Sequence, residues 1–223
     1  MVTLCRQKKI KLLVNFTRRY DSFYQQIKNK WQNLLGEVQA ITFYYSGGIV
    51  TVGSHMLDLL LFLLGECQEV YAEQTWRGLS GRLKFSKVSV DIVPMNTKNY
   101  SIFEMNIFGD RARLDTINKP FGEYAYRYFI REKSKIGSYF ISSKEKQPIK
   151  IDLPRDYLVA ALQDLLSSVR NNREPLSSGT TALKSLQIMH ALLYSAGKNG
   201  IKISLPFNKT VSWLPESGGD IKR

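Results

Sequence analysis

The sequence predicts an α+β domain built on a mostly antiparallel sheet, and three observations predict it. Between Glu69 and Ser142, six short runs alternate apolar and polar residues with period two and are joined by short turn segments, as in strands that follow one another across a sheet. Apolar residues recur at helical spacing before this region, in 21–35, and after it, in 156–171 and 180–196. Between the first helix and the strand series lies Ser46 to Gly65, SGGIVTVGSHMLDLLLFLLG, a glycine-rich loop followed by a nearly unbroken apolar run.

In order, Val2 to Lys9 reads as the last turns of a helix and Ile10 to Phe16 as a short apolar strand. Asp21 is an N-cap for a helix to Leu35, with Tyr24, Ile27, Trp31, Leu34 and Leu35 as its apolar stripe and Gly36 as its stop. Val38 to Tyr45 is a strand feeding the glycine loop. A helix from about Ser54, as N-cap, to Leu64 follows, with Gly65 as a left-handed cap. Its leucines leave no polar face, so it is buried all round, and it falls well short of the ~20 residues that span a bilayer. The strand series then comprises Glu69–Trp76, Lys87–Val93, Tyr100–Phe108, Ala112–Ile117, Glu123–Ile130 and Ser138–Ser142, with Gly109-Asp110 as a hairpin-type turn. Tyrosines 124, 126 and 128 share one face of their strand. They can form a sugar-stacking or subunit-contact surface, or pack within the sheet. Two helices close the domain, one with Leu158, Ala161, Leu162, Leu165, Leu166 and Val169 as its stripe, the other with Leu183, Leu186, Met189, His190 and Leu193. A short strand, Ile201 to Leu205, precedes a polar tail containing Trp213.

Composition narrows the function classes. The 223 residues include 32 Lys and Arg against 19 Asp and Glu, a net charge of +13. The basic residues are scattered and form no nucleic-acid motif, so a solvated surface explains them better than a polyanion-binding module, the weakest of three functional readings. Cys5 and Cys67 have no metal-ligand spacing. No signal peptide or membrane anchor is legible, so a soluble cytoplasmic protein without a metal is expected.

The chemistry-bearing residues gather around the apolar helix. His55 and Asp58, three apart, lie on one helix face. An imidazole in the first turn meets the positive end of the helix dipole, which disfavours protonation, while Asp58 pulls the other way and can fix the tautomer. Beside a glycine loop that lets a ligand approach the backbone, such a histidine suits proton transfer to a substrate hydroxyl. His55 is then the candidate acid/base and Asp58 its orienter; alternatively His55 is a satisfied half-buried histidine and Asp58 a helix-entry acid. The adjacent Arg18 and Arg19 either grip a carboxylate or phosphate, or one of them pairs with an acid such as Asp21. His190, with no acid or cysteine at ligand spacing, reads as a packing residue.

Three stretches carry a family resemblance. VNFTRRYD, Val14 to Asp21, resembles the strand and arginine turn that open the C-terminal, substrate-binding half of the Gfo/Idh/MocA oxidoreductases. Gly47 to Glu66 is similar to that family's glycine loop and its Gly-x-His helix. The ending from Tyr157 through Pro175, Ser177-Ser178-Gly179 and Ser195-Ala196 to Leu205-Pro206 is similar to the family's closing pattern. The resemblance implies an open-faced sheet with helices packed on one side, of the glyceraldehyde-3-phosphate dehydrogenase-like C-terminal type. The open face then commonly joins two copies into a homo-oligomer. It also implies NAD(P)-dependent chemistry on a sugar or nucleotide-sugar hydroxyl, with His55 on the family's active-site histidine and Arg18, Arg19, Gly47, Gly48 and Thr51 toward the substrate. The family's Asp four residues before the histidine is Thr51 here, which cannot ionise. No G-x-G-x-x-G follows a strand anywhere in the chain, so no cofactor is expected to bind it alone. Asn118-Lys119-Pro120 resembles the family's Glu-Lys-Pro by letters only. The expected division is 1–16 as the remnant of a Rossmann-type half, 17–207 as the substrate and dimerisation domain, and 208–223 as a tail. Alone, such a chain is expected to lack dehydrogenase activity and to need a separate Rossmann chain. The non-enzymatic alternative, a dimerisation domain that has lost the chemistry, is favoured by Thr51.

Overall fold

The computed structural model describes residues 1–97, 100–117, 123–134, 137–142, 147–148 and 156–209; for Gln32, Ile117 and the described residues of 123–148 other than Gly137, the backbone alone is described. The tail beyond Lys209, Trp213, Asn118-Lys119-Pro120 and the side chains of Tyr124, Tyr126 and Tyr128 lie outside that description.

Among the described residues the chain forms α1 (Val2–Gln7), a 3-10 turn (Thr17–Tyr20), α2 (Ser22–Leu35), β1 (Val38–Ser46), α3 (Val52–Leu64), β2 (Cys67–Thr75), β3 (Gly78–Phe85), β4 (Ser89–Met95), β5 (Phe103–Gly109), β6 (Ala112–Ile117), β7 (Glu123–Ser134), β8 (Gly137–Ser142), β9 (Gln147–Pro148), α4 (Tyr157–Arg170), α5 (Gly179–Ala196) and β10 (Ile203–Ser204). The strands make one sheet in the order β10-β2-β3-β4-β1-β5-β6-β7-β8, with β9 beside β7. Every pairing is antiparallel except β1 with β4, which runs parallel from Ile41↔Val90 to Ser46↔Met95. The sheet is therefore mixed but mostly antiparallel, with helices on one side, as the α+β reading requires.

The alternation of the strands decides which face is covered. In β5, Phe103, Met105 and Ile107 are buried while Glu104 and Asn106 are half-buried. The buried side meets α3 and α5, whose Leu57, Leu59, Leu60, Ile188 and Leu192 complete the core. Ser195 of α5 ties this layer to β2: its Oγ accepts from the Ala72 N–H (2.9 Å) and donates to the Ile201 carbonyl. The other face of the sheet carries polar pairs among the described residues: the bidentate Arg82–Asp91 pair and, three strands beyond β4, Asp115 of β6 accepting from Asn106 and Arg113.

Four elements depart from expectation. Ile10 to Phe16 forms no strand of the sheet: Leu13 makes an isolated bridge to Ser178. Strand β3 was not predicted, because Gly78 and Gly81 interrupt its alternation; yet a Cβ on Gly81 would lie 2.5 Å from the Tyr71 carbonyl, so the strand needs that glycine. Helix α3 begins at Val52 rather than after Ser54, whose hydroxyl instead donates to the Thr51 carbonyl. In α4, Ala161 of the expected stripe is buried, but Leu162, Leu166 and Val169 are 57–60 % exposed. The helix turns the side bearing Ala161, Asp164 and Ser168 inward instead. The cap at Asp21 and the positive φ of Gly65 form as predicted, Asp156 caps α4, and the hairpin turn follows Gly109, where a Cβ would clash with the Leu35 carbonyl at 2.0 Å.

Candidate active site

The candidate site lies where the 3-10 turn, the end of β1 and the start of α3 meet. Gly47, with φ of 87°, turns the chain out of β1 in a conformation that favours glycine. The Gly48 carbonyl then accepts from the Thr51 N–H (3.2 Å), the Gly53 N–H (3.1 Å) and the Thr51 hydroxyl (3.1 Å). The loop thus closes on itself and starts α3 with His55 in its opening turns. A Cβ on Gly53 would lie 2.6 Å from the Ile49 side-chain tip, which would have to move. His55 is half-buried, its ring edge-on to Phe16 at 5.4 Å. Burial and the charge of Arg18 lower its pKa from the usual 6.5, against an opposing pull from Asp58. The imidazole is accordingly neutral at pH 7 and able to accept a proton.

The neighbouring arginines part company. Arg19 is 5 % exposed and grips Asp58, itself fully buried, with Nε to Oδ2 at 2.7 Å and Nη2 to Oδ1 at 2.8 Å. Ser185 of α5 donates to the same Oδ1 (3.3 Å), and Arg19 Nη1 donates to the Leu176 carbonyl (3.4 Å). Burial pushes the Asp58 carboxyl up, while Arg19 and Ser185 pull it down. Arg18 lies half-buried with its guanidinium 4.9 Å over the Phe103 ring. Tyr20, next in the chain, donates to Asp164 Oδ2 (2.8 Å), which also accepts the Leu176 N–H (2.7 Å), while Arg173 holds Oδ1 (2.6 Å). Burial works to raise the Asp164 pKa, but these hydrogen bonds and the charge of Arg173 outweigh it and keep the carboxyl below its usual value.

The structure thus brings His55, Arg18, Gly47, Gly48 and Thr51 to one end of the sheet, and puts Arg19 and Asp58 beneath them. Asp58 does not orient His55 by a hydrogen bond: among the described residues none joins the two, because both carboxylate oxygens turn to Arg19. Arg19 in turn pairs with Asp58 rather than Asp21, whose carboxylate caps α2 by accepting from the Phe23 N–H. Its donors face inward, to Asp58 and the Leu176 carbonyl. Phe16, Phe103 and Ser185 went unremarked in the sequence. Phe16 is flagged only by adjacency to the arginine turn, and the other two carry no local signal. His190 lies elsewhere, lining a hollow of about 170 Å³ with Leu186, Phe207 and Lys209.

The junction of β1 and α3 does not offer the amides that cradle the pyrophosphate of a nicotinamide dinucleotide. That pyrophosphate needs free amides at a helix N-terminus after a strand, and in the one such junction beside His55 the Thr51 and Gly53 amides are both bonded to the Gly48 carbonyl.

No protein-family model matches the chain. An uncharacterized protein of Haemophilus influenzae is 24 % identical over 97 residues, 42 % of this chain and 90 % of that protein. Solved structures are similar over nearly the whole chain. Aldose-aldose oxidoreductase from Caulobacter crescentus, complexed with glycerol, superposes with a TM-score of 0.74 at 15 % identity, covering 92 % of this chain and 67 % of its own. The WlbA dehydrogenase of Bordetella pertussis, in complex with NADH and UDP-GlcNAcA, gives 0.68 at 17 % identity, covering 93 % and 67 %. An oxidoreductase from Agrobacterium radiobacter with NAD+, L-tartaric acid and magnesium gives 0.66 at 15 %, covering 91 % and 67 %. The chain has an oxidoreductase-type fold and spans about two thirds of the length of these neighbours.

Proposed function

We propose that this chain is the substrate-binding and oligomerising part of an NAD(P)-dependent sugar or nucleotide-sugar oxidoreductase, with the cofactor supplied by a separate nucleotide-binding domain or chain. The observation that carries this reading is a half-buried, neutral imidazole at the start of α3, beside Arg18 and above a buried Arg19–Asp58 brace, in a fold shared with such enzymes. A ring nitrogen of His55 accepts the proton of the substrate hydroxyl as that carbon becomes a carbonyl, and returns it in the reverse direction. Arg18, held flat over Phe103, binds an anionic or polar group of the substrate. Gly47 and Gly48 let the substrate come close to the backbone, with Thr51 at the loop rim. Arg19 and Asp58 fix the turn and the helix relative to each other. The sheet face opposite the helices is the contact between copies. No helix among the described residues is long and apolar enough to cross a membrane.

Calorimetric titration of the purified chain with sugars, nucleotide sugars, NAD(H) and NADP(H) tests this. Sugar or nucleotide-sugar binding without nicotinamide binding is expected, and His55→Ala lowers any activity restored by an added nucleotide-binding chain by roughly 10²–10⁴-fold. Nicotinamide binding by the chain alone defeats the reading. A second reading, a non-catalytic interaction domain, rests on Thr51, whose hydroxyl serves the loop by donating to Gly48 and supplies no carboxylate beside His55. It gains if no sugar binds and the chain still associates.

A further inference from the structure

Helix α4 shows solvent an apolar side that the described residues leave uncovered. Leu158, Val159, Leu162, Leu166 and Val169 are 48–60 % exposed and form a stripe running most of its length, about 21 Å for fourteen residues. The opposite side packs on the 3-10 turn, with Tyr20 bonded to Asp164.

We propose that α4 pairs antiparallel with α4 of a second copy across a two-fold axis, an interface separate from the open sheet face. The arrangement of the stripe carries this. A two-fold contact must be self-complementary, each residue meeting its mirror position. Reversing α4 about the level of Asp164 exchanges Val159 with Val169 and Leu162 with Leu166, so the apolar side falls on itself. It also brings Arg170 over Leu158, where its stem covers the leucine and its guanidinium reaches Asp156 of the other copy. Asp156 uses Oδ1 to cap α4, accepting from the Leu158 and Val159 N–H groups, and its Oδ2 has no partner among the described residues. The pairing thus joins an anionic helix start to a cationic helix end at both extremities, and antiparallel dipoles favour the same orientation. A stripe complementary to an unrelated partner has no reason to be palindromic in this way. One helix pair is a small interface, so the association is concentration-dependent.

Analytical ultracentrifugation of the full chain against Leu162→Glu tests the pairing. Leu162 is 60 % exposed, so the variant keeps the wild-type circular dichroism and melting curve. The expected result is that Leu162→Glu halves the particle mass, with self-association weakened roughly a hundredfold, whereas Gln163→Glu, its exposed neighbour, leaves the mass unchanged. If the sheet face also joins copies, the wild type is a tetramer and the variant a dimer; if not, they are dimer and monomer. In a Cys5→Ser background, Leu162→Cys with Leu166→Cys gives an intermolecular disulfide on mild oxidation. A wild-type monomer at the highest soluble concentration overturns the proposal, as does an oligomer whose mass Leu162→Glu does not change. So does a stripe that is covered only when a nucleotide-binding protein is added.

Discussion

Arg18 and Arg19 stand side by side in the chain, and the fold places one at the rim of the candidate site and the other beneath it. Arg19 gives Nε and Nη2 to Asp58 in a pair that solvent does not reach, while Arg18 lies half-buried across an aromatic ring. The lesson concerns division of labour. A residue that holds two elements in register must fill its hydrogen-bonding capacity inside the fold, and one that meets a ligand must keep some in reserve. The same contrast separates Asp58 from His55, three residues apart on α3.

The contrast can be broken from the inside first. Asp58→Ala leaves the Arg19 guanidinium buried without its carboxylate, and chemical denaturation should show a loss of about 3–5 kcal/mol. Replacing both partners, as Arg19→Met with Asp58→Leu, should cost much less, because no unpaired charge is left behind; an equal loss would mean the pair matters through packing alone. Tyr20→Phe removes the hydrogen bond to Asp164 and the acceptor of the Ser177 N–H, and should lower stability by about 1–2 kcal/mol. Arg18→Ala is the rim counterpart. It should cost stability only about 0.5–1 kcal/mol, the loss of one cation–π contact, yet abolish binding of an anionic sugar. A variant that binds as the wild type does would remove Arg18 from the site.

The smallest effect is a pH dependence. His55 has its folded pKa depressed, so the unfolded chain binds more protons than the folded one below the ordinary 6.5. Its contribution is therefore intact above about 6.5 and declines as the pH falls through the lower folded value. Melting temperature measured across that window should fall less steeply in His55→Gln than in the wild type.

Much of this was legible in the sequence because it depends on neighbours in the chain. The helix caps at Asp21 and Gly65, the alternation of β5 and the loop at Gly47 all follow from local rules. What failed was long-range. The choice of Asp58 over Asp21 by Arg19 joins residues 39 apart, and Ser185 completes the pair from 127 positions away. Helical spacing identified α4 but misjudged the inward side. Its small residues Ala161 and Ser168 let it sit close to the turn at Tyr20, and the leucines were left outside. The spacing of apolar residues says that a helix has a greasy side, and says nothing about which body of protein covers it.

The position of β1 in the sheet has a consequence for how the chain folds. Strands β2, β3 and β4 form one meander and β5, β6, β7 and β8 another, each from neighbours in sequence, and β1 alone lies between them. Its partners in the chain are 49 and 66 residues away, from Ile41 to Val90 and to Ile107. Until β1 arrives, β4 and β5 each present an unpaired edge, the kind of surface that recruits strands from other chains. β1 precedes both of its partners in the chain, and the time it takes to pair with them sets how long those two edges stay open to other molecules.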